Sequence, residues 1–287
     1  MKAREILYIL GFRPAPRRYG FEIDSFDLPR DGHIEFARWL HPREKPKTFP
    51  QEAIDQLRVF LSPGDLAIDI GAHSGDSALP LALAVGKQGT VLALEPNSYV
   101  FPILQKNSEL NPDKTNIVPL PFAATPGDGE YEFEYGDAGY CNGGLHNGVG
   151  RWKHGLAFKL KVNGRRLGDF LEKEYPQLLS KLRYIKVDAE GYDFTILSSL
   201  SEIIARYRPY LRAEVYKWTT RAERQQLLQF LIAAGYSLWR LEDESNYCAE
   251  PVTVDRVMDW VHYDVFAVPH GAATPFSERA KDRAARR

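Results

Sequence analysis

The hydrophobic positions from residue 65 onward form short, continuous apolar runs separated by stretches with helical periodicity. A regular alternation of strand, turn and helix is typical of a parallel sheet whose strands are joined by crossover helices. The sequence therefore predicts an α/β fold. The strands that we expect are 66–70, 90–94, 116–120, 184–187, 210–215, 237–241 and 264–268.

Two helix starts are indicated by capping-box spacing, in which a Ser or Thr precedes a Glu or Gln by three residues. Thr48 has this spacing with Gln51, and Thr220 has it with Glu223. Gly235 follows the apolar face of the second helix, where glycine commonly ends a helix. We therefore expect one helix to begin near Thr48 and another to run from Thr220 to Gly235.

Three segments of the chain depart from the regular alternation. Short strand-like runs among Pro- and Gly-containing turns predict an extended N-terminal appendage over residues 1–47, ahead of a main domain over 48–270. Within that domain, two alternating runs with Gly-rich turns predict an inserted β-hairpin at about 125–165. The last segment, 271–287, is basic, has no apolar face, and is predicted to be disordered.

Composition and charge exclude several classes of protein. The 287 residues contain 37 Lys and Arg against 38 Asp and Glu, so long-range attraction to nucleic acid or an acidic membrane is not expected. The longest apolar run, 78–85, is far shorter than the roughly 20 residues of a bilayer span. The two cysteines, Cys141 and Cys248, lack metal-type CxxC spacing, which favours free thiols in the cytoplasm.

A glycine-rich turn after the first core strand indicates a binding loop. The segment 69–76 reads DIGAHSGD and leads into a predicted helix. Glycine lets the backbone approach a ligand closely, and the N-terminus of a helix attracts an anionic group such as the carboxylate of an amino-acid-like cofactor. A tight structural turn remains the alternative, because Gly-rich turns occur in many α/β folds.

An acidic residue after the second core strand strengthens the indication of a nucleoside-bearing cofactor. Glu95 follows Gly75 by 20 residues, the spacing at which a carboxylate accepts hydrogen bonds from both ribose hydroxyls. The glycine spacing is GxxxG, whereas nicotinamide-binding loops have GxGxxG. The sequence therefore favours a ribose-bearing cofactor and disfavours an NAD-dependent oxidoreductase.

Three segments of the chain together resemble a known family. IDIGAHSG at 68–75, LEPN at 94–97 and IKVDAEGY at 185–192 are similar to the FkbM-type methyltransferases, which are class I enzymes dependent on S-adenosylmethionine (SAM). The resemblance spans roughly residues 50–269. It implies a Rossmann-like methyltransferase sheet, mostly parallel with an antiparallel last strand, and methylation of a hydroxyl on a small molecule, glycan or lipid-linked sugar.

The resemblance also implies where the cofactor binds. The methionine end is expected at the glycine loop, the ribose at the segment that follows the second strand, and the adenine beside the residues after the third strand. This chain has His73 where the family usually has Asn, which leaves the contact at that position open. The implied cofactor-binding residues are Asp69, Gly71, Ala72, His73, Gly75, Glu95, Pro96, Phe122 and Ala123.

Three carboxylates are expected beyond the carboxyl ends of the fourth and fifth core strands, where ligands bind in open α/β sheets. Asp188, Glu190 and Glu214 are therefore the candidate catalytic residues. They can act as a general base, hold the methionine amine, or bind a divalent cation that acidifies the acceptor hydroxyl. Alternatively, Asp188 or Glu190 caps the next helix. The sequence identifies no further ligand, so a metal site stays open.

Two other functions are alternatives to an O-methyltransferase. A nucleic-acid methyltransferase predicts an Asn- or Asp-Pro-Pro-aromatic segment after the fourth strand, whereas residues 188–191 read DAEG. A cofactor-binding module, or a degenerate enzyme that acts through a partner, predicts cofactor binding without turnover. Only an activity measurement distinguishes such a module from an active methyltransferase.

Overall fold

The computed structural model describes residues 14–141, 143–144 and 158–272. The predicted basic tail lies outside the described residues from residue 273 onward, as do the first 13 residues of the predicted appendage and most of the turn within the inserted segment. Within the described ranges, no helix combines the length and the apolar character that crossing a bilayer requires.

The described strands fall into three sheets. They are β1 (Phe21–Leu28), β2 (Gly32–Trp39), β3 (Leu66–Ile70), β4 (Thr90–Leu94), β5 (Ile117–Leu120), β6 (Ala123–Ala124), β7 (Gly129–Tyr135), β8 (Gly143–Gly144), β9 (Phe158–Arg165), β10 (Leu182–Val187), β11 (Tyr210–Val215), β12 (Tyr236–Leu241), β13 (Glu250–Pro251) and β14 (Tyr263–Pro269). All seven strands predicted for the core are present, with ends that differ by at most two residues.

The central sheet has eight strands in the order β13-β12-β14-β11-β10-β3-β4-β5. The pairs from β11 through β5 are parallel, and β14 is antiparallel to both β11 and β12. Every residue of β3 and β4 is buried, as expected for parallel strands that have helices on both faces. The α/β, Rossmann-like class is therefore confirmed, including its antiparallel last strand.

The described α-helices connect the strands and cover the sheet. They are α1 (Gln51–Leu57), α2 (Ala78–Val85), α3 (Phe101–Glu109), α4 (Leu167–Glu174), α5 (Asp193–Ser199), α6 (Ser201–Tyr207) and α7 (Arg221–Ala233). One apolar core packs α4 to α7 against one face of the sheet, and a second packs α1 and α2 against the other. The two cores leave the carboxyl ends of the parallel strands for the site.

The two predicted capping boxes have opposite outcomes. Thr220 and Glu223 form the reciprocal box, and Gly235 (φ +85°) follows the end of α7, so that prediction is confirmed. The Thr48 box is wrong, because α1 begins at Gln51 after Pro50 with no side-chain cap. The buried Gln51 amide instead accepts from the Arg30 and Asp31 N–H groups and donates to the Asp31 carboxylate, so its hydrogen bonds go to the turn between β1 and β2 rather than to a local cap.

The predicted appendage contains an antiparallel hairpin, β1–β2, with strands longer than the sequence indicated. Its inner face packs on α1 and α2 through side chains that include Ile34 and Phe36. Asn107 of α3 ties the hairpin to the glycine loop: its side chain accepts from the Ala37 N–H and donates to the Ala37 and Ser74 carbonyls. The hairpin therefore supports the binding loop from one side.

The inserted segment forms more than the predicted hairpin. Strands β7 and β9 pair antiparallel as expected, and β8 and β6 add one strand at each side to give the order β6-β9-β7-β8. Because β6 follows β5 after two residues, this small sheet is attached directly to the edge of the central sheet. Its position makes it one wall of the cavity described below.

Candidate active site

A cavity of about 860 Å³ lies beyond the carboxyl ends of β3, β4 and β10. Its volume is within the roughly 300–1,000 Å³ that is usual for small-molecule sites, and its location is where open α/β sheets bind ligands. The segment around α1 forms one wall, and the inserted sheet forms another through Phe133 and Tyr135. Acidic side chains outnumber basic ones along the lining by eight to three. The cavity therefore favours a ligand that carries positive charge.

The glycine loop is held between the ends of two strands. Gly71 has a φ of +80°, and a Cβ at this position would lie 2.1 Å from the Asp188 carbonyl oxygen. The N–H groups of Gly71 and Ala72 both donate to the Leu94 carbonyl, at 3.1 and 2.9 Å. Only glycine permits this close approach of backbone to backbone. Gly71 and His73 line the cavity, whereas Ala72 and Gly75 lie behind it.

Asp69 does not reach the cavity, although the sequence places it at the start of the loop. Its side chain is fully buried, with Oδ2 accepting from the Ser77 hydroxyl at 2.6 Å and Oδ1 lying 3.1 Å from Lys186 Nζ. Burial alone lowers the pKa of Lys186, but the Asp69 and Asp188 carboxylates raise it above its ordinary value. Asp69 therefore fixes the loop and the Lys186 ammonium from below.

Glu95 lies on the cavity wall at the end of β4. One carboxylate oxygen accepts from the His73 N–H at 2.9 Å and the other from the Asn97 N–H at 2.8 Å. Burial raises the pKa of Glu95, against the opposing effects of His73 and the two hydrogen bonds. Each oxygen keeps a second lone pair for a ligand. Pro96 lines the cavity beside Glu95.

Phe122 and Ala123 form an apolar part of the cavity beyond β5. Phe122 packs edge-on against Phe170, with ring centroids 4.8 Å apart, and Arg165 lies over its ring at 5.3 Å. Such a flat, buried aromatic surface suits a heteroaromatic ring. The predicted adenine-side residues therefore lie at the same cavity as the glycine loop and Glu95.

Asp188 and Glu190 also line the cavity, directly after β10. Glu190 (φ +53°) and Gly191 (φ +99°) both have left-handed backbone conformations, which form a sharp turn before α5. The Glu190 carboxylate accepts a hydrogen bond from the Tyr216 hydroxyl. Burial and the nearby Asp188 raise the pKa of Glu190, although the Tyr216 bond lowers it. Glu190 is therefore a partly buried carboxylate with increased proton affinity.

The alternative that Asp188 or Glu190 caps the next helix is wrong. The N-cap of α5 is Tyr192, which makes no side-chain cap. Asp193 binds backbone groups here instead: its carboxylate accepts from the Ala189 N–H at 3.3 Å and from the Glu214 N–H at 2.9 Å. The two predicted site carboxylates are thereby left for the cavity.

Glu214 lies near this group but not on the cavity lining. Its Oε1 is 2.6 Å from His262 Nε2, and its Oε2 is buried without a hydrogen-bond partner. Burial raises the pKa of Glu214 to about 7, with Asp188 and Glu190 adding to the effect. The carboxylate oxygens of Asp188, Glu190 and Glu214 do not converge within 4.8 Å, the separation found for a metal-type cluster elsewhere in the described residues.

Sequence reasoning missed three side chains near the site. His262 pairs with Glu214 because β14 runs antiparallel to β11, with Tyr263 opposite Val215. Tyr216 follows β11 directly, and Lys186 was present in the IKVDAEGY segment without an assigned role. Of the three, Lys186 is the one that the sequence could have indicated, because a lysine inside an otherwise apolar buried strand needs an acidic partner.

The strand order, the glycine loop and the acidic residue after β4 define a Rossmann-like methyltransferase. Residues 69–238 match the family model described as the methyltransferase FkbM domain. The match spans more than half of the chain, and the chain belongs to this family. None of the curated proteins matches it.

Solved structures provide further similarities. The methyltransferase FkbM of Methylobacillus flagellatus KT has 17% identity and a TM-score of 0.45, and the match covers 71% of this chain and 44% of that one. This chain therefore spans less than half the length of that protein. A SAM-dependent O-methyltransferase of Thermotoga maritima has 14% identity and a TM-score of 0.42, with 86% and 77% covered.

Aeropyrum pernix fibrillarin, in complex with natively bound S-adenosyl-L-methionine, has 12% identity and a TM-score of 0.39, with 88% of this chain and 97% of that one covered. Identities this low do not transfer a ligand or an acceptor. The fold class of the chain rests on its own strand order and on the family match.

Proposed function

We propose that this chain is a SAM-dependent O-methyltransferase that acts on a hydroxyl of a small molecule, glycan or lipid-linked sugar. The observation that carries the proposal is the composition of a single cavity. Residues of the glycine loop, Glu95 and the Phe122–Ala123 surface line this cavity together with Asp188 and Glu190. Membership of the FkbM family supports methyl transfer as the reaction class.

The charge of the cavity fits SAM better than a dinucleotide. SAM carries a sulfonium, an ammonium and a carboxylate, with a net charge of about +1 at neutral pH, because only the carboxylate is anionic. The acidic lining attracts such a cation, whereas it repels the pyrophosphate of NADH or the backbone of a nucleic acid. The charge of the lining therefore supports SAM over NADH, independently of the glycine spacing.

The residues present fit the parts of SAM. Glu95 would accept hydrogen bonds from the ribose hydroxyls with the lone pairs that His73 and Asn97 leave available. Phe122 and Ala123 would contact the adenine, with Pro96 beside the ribose. Gly71 and His73 would contact the methionine end, while Asp69, Ala72 and Gly75 shape the loop from behind.

When bound, SAM supplies an electrophilic methyl group on its sulfonium. The chain must then align the acceptor hydroxyl and remove its proton. Glu190 is the carboxylate best suited to accept that proton, because it lines the cavity and burial raises its pKa. Asp188 lies 3.5 Å from the Lys186 ammonium and would hold the acceptor beside it. Glu214 does not line the cavity and would act on Glu190 through charge, because the two carboxylates lie close enough for Glu190 to raise the pKa of Glu214.

The test has a binding stage and a turnover stage. Calorimetric titrations with SAM, S-adenosylhomocysteine and NADH should show binding of the first two and none of the third. Tight NADH binding without SAM binding would overturn the proposal.

In the turnover stage, hydroxylated sugars, lipid-linked sugars and small molecules are screened with methyl-labelled SAM. With a detected acceptor, Glu190→Gln should lower kcat by about 10²- to 10⁴-fold while SAM affinity stays unchanged. Glu202→Gln, at an exposed position on α6, is the matched control. Equal kcat for both variants would exclude Glu190 as the base. SAM binding without transfer to any hydroxyl would favour the binding-module alternative.

A further inference from the structure

Three side chains with metal-binding chemistry, none of them a proposed catalytic carboxylate, meet on the cavity wall. Glu44 comes from the segment between β2 and α1, His73 from the glycine loop, and Cys141 from the segment after β7. Their ligand atoms all lie within 4.8 Å of one another, and all three residues line the cavity. Because the residues are far apart in sequence, only the fold brings them together.

The His73 ring contains a buried atom whose bonding is incomplete. Its Nε2 is inaccessible to solvent and has no hydrogen-bond partner. The ring is held by Trp39, edge-on with centroids 5.5 Å apart, and by the His73 N–H bond to Glu95. Leaving a buried polar atom unpaired costs about 1–3 kcal/mol, so this nitrogen calls for a partner.

The three donors together select the kind of partner. A thiolate, an imidazole and a carboxylate are the ligands that Zn²⁺ takes in proteins, whereas Mg²⁺ and Ca²⁺ prefer oxygen alone. We infer that the chain binds one Zn²⁺ through Glu44, His73 and Cys141. Three protein ligands leave one coordination position of a tetrahedral ion for water or a ligand in the cavity.

The charges around the cluster are compatible with a cation. Lys47 Nζ lies 2.6 Å from Glu44 Oε1, but it also lies 2.6 Å from Asp76 Oδ2. Asp76 thus keeps a partner on Lys47 when Glu44 binds the ion. The Glu44 side chain is only 7% exposed, so its carboxylate is already largely desolvated. Cys141 binds as the thiolate, and its proton passes to solvent.

The bound ion would join three segments that the backbone connects only distantly. It would cross-link the chain after the N-terminal hairpin, the glycine loop and the inserted sheet at one point of the cavity wall. This zinc clamp is separate from the carboxylates that are proposed to carry methyl transfer, and its test does not depend on that activity. Metal binding should therefore stabilise the full chain, because an ion that binds only the folded state raises its Tm.

The experiment measures metal binding to the full chain directly. After chelator treatment, the protein is titrated with Zn²⁺ and, separately, with Co²⁺, whose thiolate charge-transfer absorption reports a bound sulfur. We expect one Zn²⁺ per chain by elemental analysis, a Co²⁺–thiolate band, and a higher Tm with Zn²⁺. Cys248, the second buried thiol, provides the matched control, because it is not part of the cluster.

The variants distinguish the cluster from adventitious binding. Cys141→Ser and His73→Asn should each weaken Zn²⁺ binding by more than about 100-fold, beyond the 10–100-fold effect of residues that only support a ligand. Cys248→Ser should bind as the unmodified chain does. His73→Asn keeps a polar side chain and tests the site should Cys141→Ser fail to fold. Unchanged affinity in either folded variant, or loss of the Co²⁺ band in Cys248→Ser, would overturn the inference.

Discussion

Lys186 Nζ lies 3.1 Å from Asp69 Oδ1, and this ion pair joins the adjacent parallel strands β10 and β3 beneath the glycine loop. The side chains are 6% and 0% exposed, so each charge depends on the other for compensation. Lys186 Nζ also lies 3.5 Å from Asp188, on the cavity lining. The pair therefore connects the buried base of the loop to the side of the cavity where we propose that the acceptor binds.

Removal of either partner should leave a buried charge with too little compensation, because Lys186 then keeps only the half-exposed Asp188 and Asp69 keeps only the Ser77 hydroxyl. We expect Asp69→Asn and Lys186→Met each to lower the free energy of unfolding by about 3–5 kcal/mol. The double variant should lose less than the sum of the two, with a coupling of at least about 1 kcal/mol. Urea denaturation of the four proteins measures this cycle.

The exposed pair of Lys106 and Glu109, 3.2 Å apart, is the matched control. Glu109→Gln should change the free energy of unfolding by no more than about 1 kcal/mol. Additive losses at Asp69 and Lys186 would show that the two side chains act independently.

Gly71→Ala should damage the protein through a clash rather than through backbone conformation alone. The new Cβ would lie 2.1 Å from the Asp188 carbonyl oxygen, so the loop and the end of β10 must separate. Gly64→Ala is the control, since Gly64 has a φ of +95° with nothing within 4 Å of an added Cβ. It should cost about 1–2 kcal/mol from conformation alone.

The free energy of unfolding of Gly71→Ala should be lower than that of Gly64→Ala by about 2 kcal/mol. SAM affinity, measured by calorimetry, should decrease only in Gly71→Ala. Equal stability of the two variants would contradict the close approach of Gly71 to Asp188.

The elements of the fold were largely predictable because their causes are local. Continuous apolar runs identify β3 and β4, and the Thr220–Glu223 box depends on residues three apart. The glycine loop was predictable for the same reason. The predicted Thr48 cap is wrong because the side chain of Gln51 bonds residues 20 and 21 positions away, which no local pattern contains.

The candidate site was predictable as a set of segments but not as a set of contacts. Asp69 and Lys186 are 117 residues apart, so their pairing depends on the register of β3 against β10. His262 reaches Glu214 through the register of β14 against β11. The cluster of Glu44, His73 and Cys141 likewise requires three distant segments to meet. All three depend on tertiary contacts between distant segments, which local sequence patterns do not contain.

Glu95→Gln should weaken SAM binding while preserving the fold. The substitution replaces one carboxylate oxygen with an NH₂ group, which cannot accept from the His73 or Asn97 N–H. A hydrogen bond to a charged group contributes about 1.5–3 kcal/mol, so we expect SAM affinity to fall by about 10- to 100-fold. Calorimetric titration measures this change, and Glu202→Gln should leave the affinity as it is. Equal affinity in the two variants would exclude Glu95 as a ribose ligand.

The pair of Glu214 and His262 should make the protein less stable as pH rises. Burial raises the pKa of Glu214 from its ordinary value of 4.5 to about 7. Between these values the folded protein keeps a proton that the unfolded chain releases, so the free energy of unfolding falls with pH, by about 3 kcal/mol over this window. The hydrogen bond to Glu214 also raises the pKa of His262, so the loss of stability continues above pH 6.5.

Glu214→Gln removes the titrating carboxyl and should flatten the profile of stability against pH between about pH 5 and about pH 7, whereas Glu202→Gln should keep the slope of the unmodified chain. Urea denaturation across this range measures the slopes, and identical slopes for the two variants would show that Glu214 is ionised throughout.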